Sequence, residues 1–207
     1  MATPLVLTAA VEGLADEVLL KRICDSVGAS VGQVYGRYGK SYILKNLNGY
    51  NHSAQFRHWV VLVDLDSDGA CVPEVLPRWL PTPSRLMRLR VAVRELESWL
   101  LADTERIAKF LGVAVADIPS DPDSIADPKR LMVQLARGSR RRAIREDMVP
   151  STGSGQQVGP AYTSRMIEFI QSAESGWRPD VAAGNSESLR RCISAISNLV
   201  VQQYGPR

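Results

Sequence analysis

Three aspartates stand at alternate positions in the stretch WVVLVDLDSDGACVPEVL, residues 59–76, and a glycine follows at once: Asp64, Asp66, Asp68 and Gly69. Carboxylates at this spacing suit a hard divalent cation. Two sites use them, a D-x-D-x-D-G calcium loop and a magnesium site at the end of a buried strand. The calcium loop needs a bidentate Glu at its twelfth position, but counting from Asp64 that residue is Val75, and Glu74 is one short. Such a loop also follows a helix. Here the approach is residues 59–63, five apolar residues of which three are β-branched. A short continuous apolar run of this kind predicts a strand buried on both faces, as in parallel sheets. Ligand count and context both exclude the calcium loop.

Other apolar runs also end on acids. Residues 5–11 run into Glu12, and residues 89–93 lead to Glu95 and Glu97. In a parallel sheet the carboxyl ends of the strands share one edge, where ligands bind. Carboxylates gathered there repel one another, and a divalent cation relieves that conflict. Magnesium, or manganese in its place, takes oxygen ligands from carboxylates, waters and phosphates. Asp64 and Asp66 lie on one side of an extended chain, and Asp68 joins them if the turn curls back. Glu12 would bind the metal or exchange a proton with the reacting group. The plainer alternatives stay open: acids at strand ends cap helices, and Glu95 or Glu97 would then be a solvated first-turn residue.

These acids need a scaffold. Strands are expected at 5–11, 31–38, 59–63 and 89–93. Helices are expected from about 15, from about 41, over 72–80, from 95, and after an Asp103 cap. This alternation predicts an α/β domain with a parallel sheet and flanking helices over residues 1–112. Residues 113–207 change character. A proline-punctuated connection leads to a helix capped by Asp127-Pro128. A Gly/Ser loop over 151–160 follows, either a linker or a flap over substrate. The last helix carries the stripe Leu189, Cys192, Ile193, Ile196, Leu199 and Val200. The expectation is a C-terminal helical appendage packed on the α/β domain.

The 207 residues carry 25 basic and 22 acidic side chains, a net charge of +3, so overall charge alone does not make a polyanion binder. Three cysteines, odd in number and far apart, predict reduced thiols and a cytoplasmic home. Two histidines exclude a His-rich metal site. No apolar run approaches a membrane span, and neither a signal peptide nor an internal repeat is expected. The basic side chains are concentrated in KRLMVQLARGSRRRAIR, residues 129–145, with seven Lys or Arg and no acid. Lys129, Arg130, Arg137, Arg140, Arg141, Arg142 and Arg145 would make a footprint for a phosphate backbone beside an acidic crevice. The tract lacks aromatic residues for stacking on bases. The alternative is a solvated helix face pairing with Glu146 and Asp147.

V-E-G-x-x-D-E at residues 11–17 followed by V-D-L-D-S-D at 63–68 resembles a Toprim domain, the fold of topoisomerases, primases and OLD-type nucleases. VAVRELESWLLAD at 91–103, DPK at 127–129 and GPAYTSRMIEFI at 159–170 resemble a bacterial family of small Toprim-like proteins, and this likeness covers nearly the whole chain. The resemblance implies a catalytic or metal-binding Glu12, with Mg2+ (or Mn2+) on Asp64 and Asp66 and Asp68 as accessory. Glu95 and Glu97 would serve a second metal. It also implies, as partner class, an ATPase of the ABC or SMC kind in phage defence. Gly39-Lys40-Ser41 ends like a Walker A loop, but Val34 stands where its first glycine is needed. The expected function is therefore a Mg2+-dependent Toprim-like nuclease or phosphoryl-transfer protein acting on nucleic acid, DNA before RNA. The alternative from another class is a non-catalytic partner subunit of an ATPase. A templated polymerase ranks last, because no feature supports one.

Overall fold

The computed structural model describes residues 4–65, 72–93 and 95–204. In chain order the main elements are β1 (Leu5–Val11), α1 (Leu14–Ser26), β2 (Ala29–Gly36), α2 (Lys40–Ser53), β3 (Trp59–Asp64), α3 (Val72–Trp79), β4 (Met87–Ala92), α4 (Leu96–Leu101), α5 (Thr104–Leu111), α6 (Pro128–Arg137), α7 (Arg142–Met148), α8 (Tyr162–Gln171), α9 (Pro179–Asn185) and α10 (Glu187–Tyr204). Two compact units emerge: Met1–Val93 with Ser188–Arg207, and Arg94–Glu187. The chain parts at 93/94 and 187/188 rather than at 112/113. Helices α4 and α5 pack with elements that follow them, and most of α10 belongs with the sheet.

The first unit is α/β. Its four strands are all parallel in the order β2-β1-β3-β4. Every residue of β3 is buried, as the unbroken apolar run requires of a central strand. On one sheet face Ala10, Trp59, Val61, Val63, Met87, Leu89 and Val91 pack with Ile43 and Leu47 of α2 and Val75 of α3. On the other, Cys192 of α10 interacts with Cys24 of α1 and Arg90 of β4. Both thiols are free and buried. Burial pushes both up, Cys192 to about 12, so neither acts as a nucleophile at neutral pH. No helix among the described residues is long and apolar enough to cross a membrane.

The second unit is helical. Trp99 and Trp177 are fully buried, and Trp177 Nε1 donates to the Trp99 carbonyl at 2.9 Å. Asp103 is also fully buried. It accepts from Arg178 at its backbone N and Nε, both 3.0 Å, and at Nη2, 2.6 Å. This bidentate pair fastens the start of α5 to the start of α9.

Strand β2 stops two residues before its expected end because Gly36 turns into the left-handed region at φ +89°. A Cβ there would collide with the Val11 carbonyl oxygen and Ile43 Cδ1. Gly49, inside α2, has open space around it. Gly36→Ala should therefore lose at least about 2 kcal/mol of stability through strain and overlap. Gly49→Ala should gain roughly 0.5–1 kcal/mol. Urea unfolding of the two variants checks the opposite signs.

Candidate functional site

The sheet order sets the site. From β1 the chain turns to β2 on one side, whereas β3 and β4 lie on the other. The β1–β3 ladder runs only from Thr8/Trp59 to Ala10/Val61. Beyond it β1 keeps pairing with β2 as far as Gly36, and β3 with β4 as far as Ala92. The two central strands thus part company at their carboxyl ends, the place where open α/β sheets bind ligands. Glu12 follows β1 there and Asp64 closes β3. The Glu12 carboxylate reaches across, and its Oε1 accepts the Asp64 backbone N–H at 2.8 Å. A side chain thereby takes over where the ladder has ended.

Other charged groups crowd this edge. Asp64 is 8% exposed and Asp16, on the first turn of α1, 5%. The Asp16 carboxylate folds back towards Gly13, whose added Cβ would lie 3.2 Å from its Oδ2. Lys40, the first residue of α2, donates from Nζ to the Leu65 carbonyl at 2.9 Å and lies 5.1 Å from the Trp79 ring centroid. Glu17 accepts from Lys21 at 2.7 Å and Arg37 Nε at 2.6 Å. Burial pushes the Glu17 carboxyl up, but these two cations outweigh it and hold it below its ordinary value.

The structure brings Glu12 and Asp64 together. Asp66 and Asp68 lie outside the described residues. Among the described residues no group of three or more His, Cys, Asp or Glu is arranged to hold a metal ion. Glu12 and Asp64 offer carboxylate oxygens, a donor type that fits Mg2+ or Mn2+ and not a soft metal.

Glu95 and Glu97 belong to the second unit. Glu95 occupies the N-cap position of α4. Its Oε2 accepts the Lys129 backbone N–H at 3.0 Å and its Oε1 the Lys129 Nζ at 2.9 Å. Glu97 is 2% exposed. Its Oε1 accepts from the Tyr162 hydroxyl at 3.0 Å, with Lys129 Nζ 4.0 Å away. Its Oε2 has no hydrogen-bond partner among the described residues.

Lys129 is therefore turned to Glu95 and Glu97 rather than standing apart in a basic tract. Arg130, Arg137, Arg140, Arg141, Arg142 and Arg145 are exposed on α6, α7 and the turn between them. Arg142 pairs with Glu146 at 2.8 Å, and Arg145 donates to the Ser139 carbonyl. Arg165 takes Asp147 at 2.6 Å.

Four participants escaped the sequence reading. Asp16 and Glu17 stand in the 11–17 motif with no role of their own assigned, yet Asp16 lies four residues after Glu12. Lys40 was set aside with the failed phosphate loop. Tyr162 stands in the 159–170 stretch with no role of its own assigned, although a buried tyrosine hydroxyl needs a partner. Comparison with known proteins adds no family: no family model, curated protein or solved structure matches the chain.

Burial, the largest cause, raises the Glu97 carboxyl above its ordinary 4.5; neighbouring Glu95 adds to this, while Lys129 and the Tyr162 hydroxyl oppose it. A carboxyl raised in the folded state gives most stability below its unfolded value and loses it as pH climbs through the folded one. Glu97→Gln cannot ionise and keeps an acceptor for Tyr162. Its melting temperature relative to wild type should therefore be more favourable at pH 8 than at pH 4. Calorimetry at both values measures this, and a pH-independent difference would contradict it.

Proposed function

We propose that the chain is a Mg2+- or Mn2+-dependent Toprim-like phosphodiesterase acting on nucleic acid, with DNA as first substrate. The observation that carries this reading is the 2.8 Å bond from the Asp64 amide to the Glu12 carboxylate. It gathers two acids from separate strands at the parting of the sheet, where the sequence pattern calls for a metal. Magnesium bound there supplies a polarised phosphoryl oxygen and an acidified water. The chain's own groups do the rest. The amide bond fixes the Glu12 rotamer, so the carboxylate meets an attacking water in one orientation and accepts its proton. Asp64 supplies the buried negative charge that selects a cation. Lys40, held at the Leu65 carbonyl, brings a positive charge to the same edge for the phosphate. The exposed arginines of α6 and α7 supply sequence-independent affinity for the backbone. In the cell the partner class in this proposal is an ABC- or SMC-type ATPase, and the setting is phage defence.

A second reading has its own support. The Glu12 carboxylate already serves a structural end by satisfying the last amide of β3. A subunit without catalysis, docking on an ATPase, would need that bond and nothing more.

Substitutions must separate chemistry from folding. Glu12→Ala strands the Asp64 amide and should cost about 1–3 kcal/mol of stability. Glu12→Gln keeps an oxygen acceptor and removes the charge, as does Asp64→Asn. Purified protein is incubated with plasmid, single-stranded DNA and RNA, with Mg2+, Mn2+ or chelator. Cleavage should require metal and fall about 10²-fold or more in E12Q and D64N. Wild-type protein without cleavage, or variants that cleave equally well, would overturn the catalytic reading. Copurification with an ATPase and an intact phenotype in E12Q would then favour the partner subunit.

A further inference from the structure

Between Asp25 and Asp64 the chain contains no acidic residue, but it holds Arg37, Lys40, Lys45 and Arg57 and six Tyr, Phe or Trp residues. Two of these aromatics have structural work. Tyr50 and Trp59 are buried and stack with ring centroids 5.0 Å apart, and Tyr35 lies over Trp59 at 5.4 Å. Tyr38 and Tyr42 differ. They are 77% and 41% exposed, and their rings pair with centroids 5.0 Å apart.

Their position is fixed by a constrained loop. Gly36, Arg37 and Gly39 all have positive φ, at +89°, +69° and +78°. Arg37 is the one non-glycine residue with positive φ among the described residues. Left-handed backbone at such a residue persists only where the surroundings enforce it, and it gathers at functional sites. Here the enforcing bonds run to β1: Arg37 N donates to the Val11 carbonyl at 2.8 Å and Gly39 N to the Glu12 carbonyl at 3.1 Å. The Arg37 side chain is tied to Glu17. Tyr38 is thus held between two residues stitched to the very stretch that carries the candidate catalytic carboxylate. Lys40 and Lys45 flank Tyr42 on α2.

We propose that Tyr38 and Tyr42 form a stacking platform for unpaired nucleobases, which makes single-stranded nucleic acid the substrate class of the neighbouring carboxylate edge. The inference rests on the phosphodiesterase reading for its location. A preformed pair of exposed rings, with the exposed Lys45 one turn along α2 from Tyr42, offers a base a π-face and its phosphate a counter-charge, the combination single-strand binders use. Duplex bases are stacked on one another and have no face to offer. Unpaired bases of DNA and RNA share this chemistry.

The test is fluorescence anisotropy in chelator, so that cleavage does not interfere, with labelled single-stranded DNA, single-stranded RNA and duplex DNA. Wild type should prefer the single strands. Tyr38→Ala and Tyr42→Ala should each weaken single-strand binding about tenfold and leave duplex binding unchanged, while Tyr→Phe at either site should retain it. Both rings are exposed, and thermal unfolding verifies that the variants fold. Single-strand affinity undiminished in both alanine variants, or an equal loss on duplex, would overturn the platform. The two readings fail separately. Tyrosine-dependent binding by a wild type that never cleaves removes the phosphodiesterase and keeps the platform. Metal-dependent cleavage lost in E12Q, with alanine variants that bind normally, does the reverse.

Discussion

The candidate site depends on one hydrogen bond across a gap in the sheet. Once the β1–β3 ladder ends at Ala10/Val61, the central strands diverge towards their outer partners. The Asp64 amide at that parting has the Glu12 carboxylate as its acceptor. A buried amide without an acceptor is costly, and a charged acceptor makes a stronger bond than a neutral one. The same contact that completes β3 therefore ties the Glu12 side chain to the backbone of Asp64. Folding and chemistry lean on one pair of atoms, and so the candidate acid at position 12 cannot be truncated without disturbing the strand.

The loop after β2 extends the constraint. Its amides bond the Val11 and Glu12 carbonyls, so the backbone of Glu12 is held from one side and its side chain from the other. Lys40 continues the bracing to Leu65. A carboxylate held at both ends changes little when a ligand arrives, which is the preorganisation that electrostatic catalysis requires. The helical unit handles buried charge differently. Glu97 keeps one oxygen on Tyr162, and burial favours its neutral form. Glu95 remains paired with Lys129. Segments 95–103, 127–129 and 159–170 meet in this one network of Glu95, Glu97, Lys129 and Tyr162.

The sheet was legible because its signals are local. An unbroken apolar run with β-branched residues has few alternatives to a central strand, and β3 appears as expected. Glu12 and Asp64 were legible as strand-end acids, since parallel strands must bring such residues to one edge. The early end of β2 was not legible, because nothing around Gly36 in the sequence marks it as the residue that turns left-handed, and Arg37 gives no sign that it continues that turn at positive φ. The pairing of Lys129 was hidden for a related reason. The residue sits in a basic run, yet its partner stands 34 residues earlier in the chain. Tyr38 and Tyr42 were not legible as a pair, because only the turn after β2, bonded through Arg37 and Gly39 to Val11 and Glu12, brings their rings together. Asp66 and Asp68, the other two members of the aspartate set, fall outside the described residues.

The most direct test of the central claim is a crystal soaked in Mn2+ and measured at the manganese edge. The account predicts an anomalous peak within coordination distance of the Asp64 carboxylate, about 2.1 Å as for Mg2+ sites, beside a Glu12 still bonded to the Asp64 amide. An ordered edge with no anomalous density, or a Glu12 side chain turned away from Asp64, would contradict it.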